Sequence, residues 1–180
     1  MRTVTVEGII IKRVNVGEAD RILTVMTRDL GKVSVKATGV RRITSRRSSH
    51  VELLNVARLY LYKGKGMMVL TEVVMMESFE GLKADLRKIG FAYHVCELVN
   101  GLCPENQENR QVYDLLKRTF ERLTAQEDLV RVASQFEIDL LRLLGYWSYE
   151  KELSHLQAVG VIEEILERRL KSRQVIGRMG

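Results

Sequence analysis

The side chains that most often carry catalysis or bind metals are few in this 180-residue sequence and widely spaced. Its histidines are His50, His94 and His155, and its cysteines are Cys96 and Cys103. A structural zinc site needs clustered ligands, often supplied by C-x-x-C pairs, and no such pair occurs. The two cysteines lie near a predicted helix end and are expected to be buried free thiols. No metal or other cofactor is therefore expected.

Two further kinds of catalytic motif are also missing from the sequence. A nuclease needs several carboxylates that converge on Mg²⁺, but the acids near the basic part of the chain, Glu18, Asp20 and Asp29, fall in or beside predicted turns. No stretch matches the phosphate-binding loop G-x-x-x-x-G-K-[ST], and residues 64–66 predict a hairpin turn. We therefore predict that the protein is not an enzyme. A small enzyme with an unrecognised site is the weakest alternative.

The basic residues form the clearest chemical pattern. Residues 39–49 carry four arginines within seven positions, interleaved with Ser and Thr. Guanidinium and hydroxyl groups suit phosphate oxygens, and such contacts position a nucleic acid strand without reading its sequence. Lys32 and Lys36 share the predicted solvent face of the preceding strand, and Lys63 and Lys65 flank a later hairpin. The candidate DNA contacts are Lys32, Lys36, Arg41, Arg42, Arg46, Arg47, Arg58, Lys63 and Lys65.

The distribution of charge along the chain supports a polyanionic partner. Residues 1–80 contain 14 Lys and Arg against 8 Asp and Glu, whereas residues 81–180 contain 15 of each, so the net charge of +6 lies in the first part. Nucleic acid is the leading candidate, and a merely solubilising basic surface is the alternative. The only aromatic candidates for base stacking there are Tyr60 and Tyr62, so binding is expected to be mainly electrostatic.

The elements that must position these residues change type near residue 80. Before it, apolar and polar residues alternate as in half-buried strands, and turn signals separate the runs. Strands are predicted around residues 3–12, 21–27, 32–38, 53–62 and 67–77. Five short strands must close or cover their edges. We predict a five-stranded OB-fold barrel, with an SH3-like barrel or half-sandwich as the second choice.

After residue 80 the apolar residues recur with helical spacing. Helices are predicted at about residues 82–100, 109–123, 129–144 and 161–170, with their apolar stripes facing one another in a small bundle. The predicted fold is therefore α+β, with an OB-fold nucleic-acid-binding domain at 1–80 and an all-helical domain at 81–180.

The sequence also bears on how the two predicted domains pack and on where the protein acts. No Ser/Gly-rich linker separates them, so we expect them to pack together. No apolar run is long enough for a membrane helix, and strand-like sequence starts directly after Met1, so neither a membrane span nor a signal peptide is expected. The expected location is the cytoplasm, in association with the nucleoid.

Several segments in order resemble the bacterial recombination mediator RecO family. These are GEAD at residues 17–20, TRDLGK at 27–32 and KATGVRR at 36–42, followed by FE at 136–137, LLGY at 143–146 and LKSR at 170–173. Each motif alone is weak, but their order and spacing are specific and cover nearly the whole chain.

The resemblance implies an N-terminal OB-fold, a helical C-terminal domain and a non-catalytic protein that binds single- and double-stranded DNA. It also implies annealing of complementary strands and, with the partner RecR, loading of RecA onto DNA covered by single-stranded-DNA-binding protein. An OB-fold RNA-binding or ribosome-associated factor is the alternative. Many members carry a C-x-x-C…C-x-x-C zinc insertion after the G-Y motif. This chain resembles a short form without it, so zinc is not expected.

The resemblance further implies a site for the acidic tail of single-stranded-DNA-binding protein. Residues Arg131, Phe136, Lys171 and Arg173 are the candidates in this chain. The family often has Arg just before the Phe-Glu pair, whereas this chain has Ser134-Gln135. The alternative is that Phe136 belongs to the core and that the two cations of the LKSR segment complement a helix C-terminus.

Overall fold

A computed structural model describes residues 2–125 and 128–179, with side chains as far as Arg168. Its first part is a closed barrel of five strands in the order β1-β2-β3-β5-β4, with β4 pairing back onto β1. The strands are β1 (Thr3–Val16), β2 (Asp20–Thr27), β3 (Gly31–Ala37), β4 (Val56–Tyr62) and β5 (Met68–Glu77). All neighbours are antiparallel except β3 and β5, which pair in parallel. The predicted OB-type barrel is confirmed.

Alternation along the strands fills the barrel with apolar side chains, as the sequence predicts. On β4, for example, Ala57, Leu59 and Leu61 are buried while Arg58 and Tyr62 are exposed. The interior core consists of Val6, Ile10, Leu23, Val25, Val33, Val35, Ala37, Val40, Val51, Ala57, Leu59, Leu61, Leu70 and Val73. The contact between β3 and β5 is short. These two strands are paired only at Val35–Met68 and Lys36–Val69 in the described structure.

The described part of the second half is helical. The helices are α1 (Glu80–Lys83), α2 (Leu86–Leu102), α3 (Arg110–Ala125), α4 (Leu129–Leu143) and α5 (His155–Met179). Carboxylate and amide caps set three of the starts: the side chains of Asp85, Asn109 and Asp128 accept backbone N–H groups of α2, α3 and α4. The four predicted helices are therefore confirmed in kind.

Two details of the helix prediction are wrong. The first predicted helix is two helices, because Asp85 is extended and caps a new start. Leu86 and Tyr93, predicted to face the core, are exposed, whereas Ile89 and Cys96 from the same predicted stripe belong to the core or pack against it. The last helix begins at His155, six residues before the predicted start.

The two halves share a hydrophobic core, which confirms that they pack together. Side chains on the outside of the barrel, including Ile9, Ile11, Met26 and Leu54, belong to the same buried cluster as the cores of α2, α3 and α4. Polar contacts cross the same junction: the Tyr113 hydroxyl donates to Oε1 of Glu7 at 2.6 Å. Burial and this hydrogen bond raise the pKa of Tyr113.

The cysteines are where the sequence predicts them. Cys96 and Cys103 are free and buried, and burial raises the pKa of the Cys96 thiol. A thiol with a raised pKa is less nucleophilic at neutral pH. None of the helices described is long and apolar enough to cross a bilayer.

Candidate nucleic-acid interface

The basic connection between β3 and β4 is anchored to the barrel at both ends. Val40 and Val51 are fully buried in the barrel core, and residues 48–51 form a short 3-10 helix. Between them the Arg41 N–H donates to the Ala19 carbonyl at 2.9 Å. Because its backbone is held in this way, the connection presents its arginines from a defined surface.

Two of the four loop arginines are tied to backbone carbonyls. Arg41 Nη1 donates to Gly17 O at 2.9 Å. Arg47 donates through Nη2 to Thr38 O at 2.6 Å and through Nη1 to Leu70 O at 3.2 Å, which ties the loop to β5. These guanidinium groups therefore help to shape the loop.

The other two loop arginines face solvent. Arg42 and Arg46 are exposed, and in the part of the chain that the structure describes neither guanidinium donates a hydrogen bond. Both line a shallow groove of about 390 Å³ together with the hydroxyl-bearing residues Thr44 and Ser45. Free guanidinium forks beside hydroxyls are suited to contacts with phosphate oxygens.

An acidic residue helps to hold the start of this loop. The Gly39 N–H donates to Oδ1 of Asp20 at 2.8 Å, and Lys36 Nζ lies 3.5 Å from Oδ2. The Gly39 hydrogen bond, together with the nearby charges of Lys36 and Arg42, lowers the pKa of Asp20. The ionised Asp20 thus has a structural contact, and Lys36 keeps 45% of its side chain exposed.

Strand pairing brings the hairpin lysines toward the same side of the barrel. Lys36 is paired with Val69 on β5, and Val69 is paired with Tyr62 on β4. Tyr62 leads directly into the exposed hairpin that carries Lys63 and Lys65. We define the basic rim as Lys36, Arg42, Arg46, Lys63 and Lys65.

Arg58 shares the outer face of β4 with Tyr62 but lies four residues earlier on the strand. At about 3.3 Å per residue this is roughly 13 Å away from Tyr62. It is exposed and stands opposite Glu7 on β1. Arg58 therefore lies apart from the basic rim.

Lys32 is buried, contrary to the prediction that it lies on the solvent face of β3. Its side chain is only 6% exposed, and Nζ donates to Asn100 O on α2 at 2.6 Å. Its strand face was predicted correctly, but the end of α2 and residues 103–105 cover that face. The prediction that Lys32 lies on a solvent face is wrong, and its ammonium group joins the two halves.

Of the candidate residues for the acidic-tail site, the structure describes the side chains of Arg131 and Phe136, and only Arg131 is exposed. Arg131 is exposed on α4, whereas Phe136 is 1% exposed and belongs to the shared core. The interpretation of Phe136 as a core residue is therefore supported, because no part of its ring is open to a partner. The side chains of Lys171 and Arg173 lie outside the described part of the chain.

Two further groupings were missed from the sequence. Arg13 and Arg21 sit on the paired strands β1 and β2 near Arg41, at one mouth of the barrel. The signal was their position on either side of the predicted turn at residues 16–18, which makes them neighbours in a hairpin.

Buried Glu137 lies between His94 and His155, which lie too far apart in sequence to suggest this contact. No set of three or more His, Cys, Asp and Glu side chains among the described residues is arranged to hold a metal.

Comparison with known proteins identifies two matching family models. Residues 1–79 match the model described as recombination protein O N terminal, and residues 83–147 match the one described as recombination protein O C terminal. The two matches meet where the barrel gives way to the helices.

Curated relatives agree with these matches. The chain is similar to DNA repair protein RecO of Roseiflexus sp. (strain RS-1), with 37% identity over 145 residues, covering 81% of this chain and 51% of the relative. Proteins of the same name from Acetivibrio thermocellus and Pelotomaculum thermopropionicum are 34% and 32% identical, over 81% and 87% of this chain and 59% and 61% of the relatives. The chain thus spans about half to three fifths of the length of these relatives.

Proposed function

The chain belongs to the recombination protein O family, and from this premise we propose that it acts in DNA repair and recombination as a DNA-binding mediator without catalytic activity of its own. The observation that carries the proposal is the basic rim, where exposed Arg42 and Arg46 project from an anchored loop beside Lys36 and the hairpin lysines. Single- and double-stranded DNA both offer the phosphates that such a surface binds.

Annealing of complementary strands is the activity we propose for this surface. Two DNA strands repel through their phosphates, and a protein that neutralises them lowers this barrier. The rim is made of flexible cations rather than stacking rings, with Tyr62 beside it at 38% exposure. Bases bound through their phosphates keep their pairing edges free, which annealing requires.

The proposed partners follow from the family. With RecR, the protein would promote loading of RecA onto DNA covered by single-stranded-DNA-binding protein. Contact with the acidic tail of that protein would use Arg131, Lys171 and Arg173 as cations. With Phe136 buried, the apolar contact for the tail would have to come from other residues.

The decisive experiment compares annealing with RNA binding. The full chain should accelerate annealing of complementary oligonucleotides at low salt, and the double variant Arg42→Ala/Arg46→Ala should lose most of the acceleration. Arg122→Ala, an exposed cation on α3, is the matched control and should behave as the unchanged chain. Tight binding to structured RNA without any acceleration of annealing would favour the RNA-binding alternative.

A second experiment tests the tail contact separately. Charge reversal by Lys171→Glu/Arg173→Glu should abolish binding to a peptide with the acidic tail while annealing of naked DNA stays nearly unchanged. Equal loss of both activities would assign these residues to the DNA surface instead.

A further inference from the structure

Three arginines converge at the mouth of the barrel beside the β1–β2 turn. On the paired strands Arg13 faces Leu23, and Arg21 faces Asn15, so Arg13 and Arg21 are diagonal neighbours on one face. Leu23 is in the barrel core, so this is the inner face where it opens at the end of the barrel. Arg41 reaches the same place from the loop, with its guanidinium on Gly17 O.

The guanidinium of Arg21 is incompletely satisfied. Its Nε donates to Oδ1 of Asn15 at 3.0 Å, but its Nη1 is buried and has no hydrogen-bond partner in the described structure. A buried nitrogen of a charged group without an acceptor is costly. Arg21 Nη1 therefore has the capacity for a further acceptor.

The charges around Arg21 are unbalanced. Arg13 and Arg41 act on it with the same sign, and Glu52 is the carboxylate that acts on it with the opposite sign. Glu52 is already engaged, because its Oε2 accepts from Arg13 Nη1 at 2.7 Å. The pKa of Arg21 is lowered mainly by desolvation and, to a smaller extent, by repulsion from the charge of Arg13. Lys83 is also nearby, since the charges of Glu52 and Arg13 act on it too.

We propose that the barrel mouth formed by Arg13, Arg21 and Arg41 is a binding site for one phosphate group. A phosphate presents several acceptor oxygens and the negative charge that three guanidinium groups require, and planar guanidinium forks can bind it through paired hydrogen bonds. The side chains of Arg13 and Glu52 are 30% and 41% exposed, so solvent reaches the mouth beside them, and a phosphate bound there would meet Arg21 Nη1 once that buried group turns toward it.

The phosphate has two possible sources, a free anion and a nucleic acid strand. As a site for a strand the proposal rests on the proposed function. The mouth and the basic rim adjoin, because Arg41 and Arg42 are consecutive in the loop. A strand whose backbone runs along the rim could then place one phosphate, internal or 5′-terminal, in the mouth.

The test uses inorganic phosphate as the first probe, titrated into the full chain at constant ionic strength. Calorimetry should detect binding, and the Arg21 Nε resonance should shift with the same affinity. Arg21→Gln should weaken phosphate binding by about tenfold, as expected for loss of a charge-assisted contact. Glu52→Gln should tighten it severalfold, because it removes the competing carboxylate.

Arg21→Gln is expected to weaken phosphate binding and Glu52→Gln to tighten it. These opposite effects distinguish a binding site from a purely structural cluster of charges. Arg122→Gln is the control and should leave phosphate binding unchanged. If Arg21→Gln fails to fold, the Arg21 resonance of the unchanged chain decides the matter, since an unshifted signal at saturating phosphate overturns the proposal. Unaltered affinity in Arg21→Gln, or weakened affinity in Glu52→Gln, also overturns it.

A second arm identifies the source with short thymidine oligonucleotides, with and without a 5′-phosphate. If Arg21→Gln binds both oligonucleotides more weakly than the unchanged chain does, the site takes a backbone phosphate. If it binds only the 5′-phosphorylated oligonucleotide more weakly, the site takes the end of a strand. Phosphate binding by a chain that binds neither oligonucleotide would keep this site and reject the proposed function. If instead the chain bound no phosphate, and its DNA binding depended on Arg42 and Arg46 but not on Arg21, the proposed function would stand and the phosphate site would be rejected.

Discussion

Hydrogen bonding divides the four arginines of the basic loop into two pairs. Arg41 and Arg47 donate to main-chain carbonyls and therefore maintain the loop and its attachment to β5. Arg42 and Arg46 are exposed and project from that loop. The slope of log affinity against log salt grows in proportion to the number of phosphates contacted. Arg42 and Arg46 should therefore contribute a defined share of that slope.

The first prediction concerns this exposed pair. Arg42→Ala/Arg46→Ala should reduce the slope of log affinity against log salt by about 1.4 for single-stranded DNA, because each lost phosphate contact is worth roughly 0.7. The loss should be similar for all sequences and stability should hardly change. Anisotropy titrations at several salt concentrations measure the slope, and an unchanged slope would remove the pair from the DNA surface.

The second prediction concerns Arg47, whose removal should act on stability. Arg47→Ala should lower the free energy of unfolding by about 1 to 3 kcal/mol, because Leu70 O and Thr38 O lose a charged donor. Urea denaturation measures this change. Arg46→Ala is the matched control one residue away and should lie within about 0.5 kcal/mol of the unchanged chain, as an exposed substitution does.

At the scale of the elements, a buried carboxylate connects three helices. Glu137 on α4 is 5% exposed, with Oε1 2.8 Å from Nε2 of His94 on α2 and Oε2 3.0 Å from Nδ1 of His155 at the start of α5. The hydrogen bond to Glu137 raises the pKa of His94, aided by the charge of Glu97, while burial opposes the shift. The start of α5 at His155 is set by Ser154, whose Oγ accepts the Gln157 N–H at 3.3 Å and whose carbonyl accepts the Ala158 N–H at 2.9 Å.

The third prediction is a dependence of stability on pH at this contact. The folded-state pKa of His94 is raised above its ordinary value of 6.5, so its contribution is complete below pH 6.5 and is lost as pH rises through the folded-state pKa. Urea denaturation from pH 6 to pH 9 should show this loss. His94→Gln should remove it, whereas His50→Gln, in the short 3-10 helix of the barrel and in contact with Met75 on β5, should retain it. Equal pH profiles for the unchanged chain and His94→Gln would contradict the prediction.

The fourth prediction concerns the seam between β3 and the segment before α3. Gly31 has a φ of +73°, and a Cβ there would collide with the Gln107 carbonyl, whereas Gly17 has a φ of +57° and open space around it. Both Gly→Ala changes carry the cost of the left-handed conformation, about 1 kcal/mol. Gly31→Ala should cost about 1 to 3 kcal/mol more, because the seam must open. Equal thermal stability of the two variants would show that the seam adapts freely.

Local periodicity is enough to predict the elements, but not what covers them. Alternation placed Lys32 and Lys36 correctly on the outer face of β3, yet α2 covers one and solvent reaches the other. That difference depends on how the helices dock, which no local pattern encodes. Arg13 and Arg21 were missed for a different, local reason: the predicted first strand ended at residue 12, whereas β1 continues to Val16 and pairs Arg13 with Leu23 in the β1–β2 hairpin.

At the scale of the whole molecule, adjacent residues of β1 belong to two different cores. Ile10 points into the barrel, and Ile9 points outward into the core shared with the helices, and both are fully buried. The barrel therefore uses its outer surface to complete the helical core. This arrangement argues that the barrel and the helices stabilise each other, although the sequence pattern predicts two domains that meet at residue 80.

The last prediction follows from this shared core. If the halves unfold together, Ile10→Ala should shift the unfolding seen at Trp147, in the helical half, as much as that seen at β2 and β3 amides. Each of Ile9→Ala and Ile10→Ala should cost about 2 to 5 kcal/mol, as large-to-small changes in cores do. Urea titrations followed by Trp147 fluorescence and by amide signals of Val25 and Val35 test whether the midpoints coincide. If Ile10→Ala moved only the barrel signals, the halves would unfold independently, and the shared core would be an interface between two stable domains.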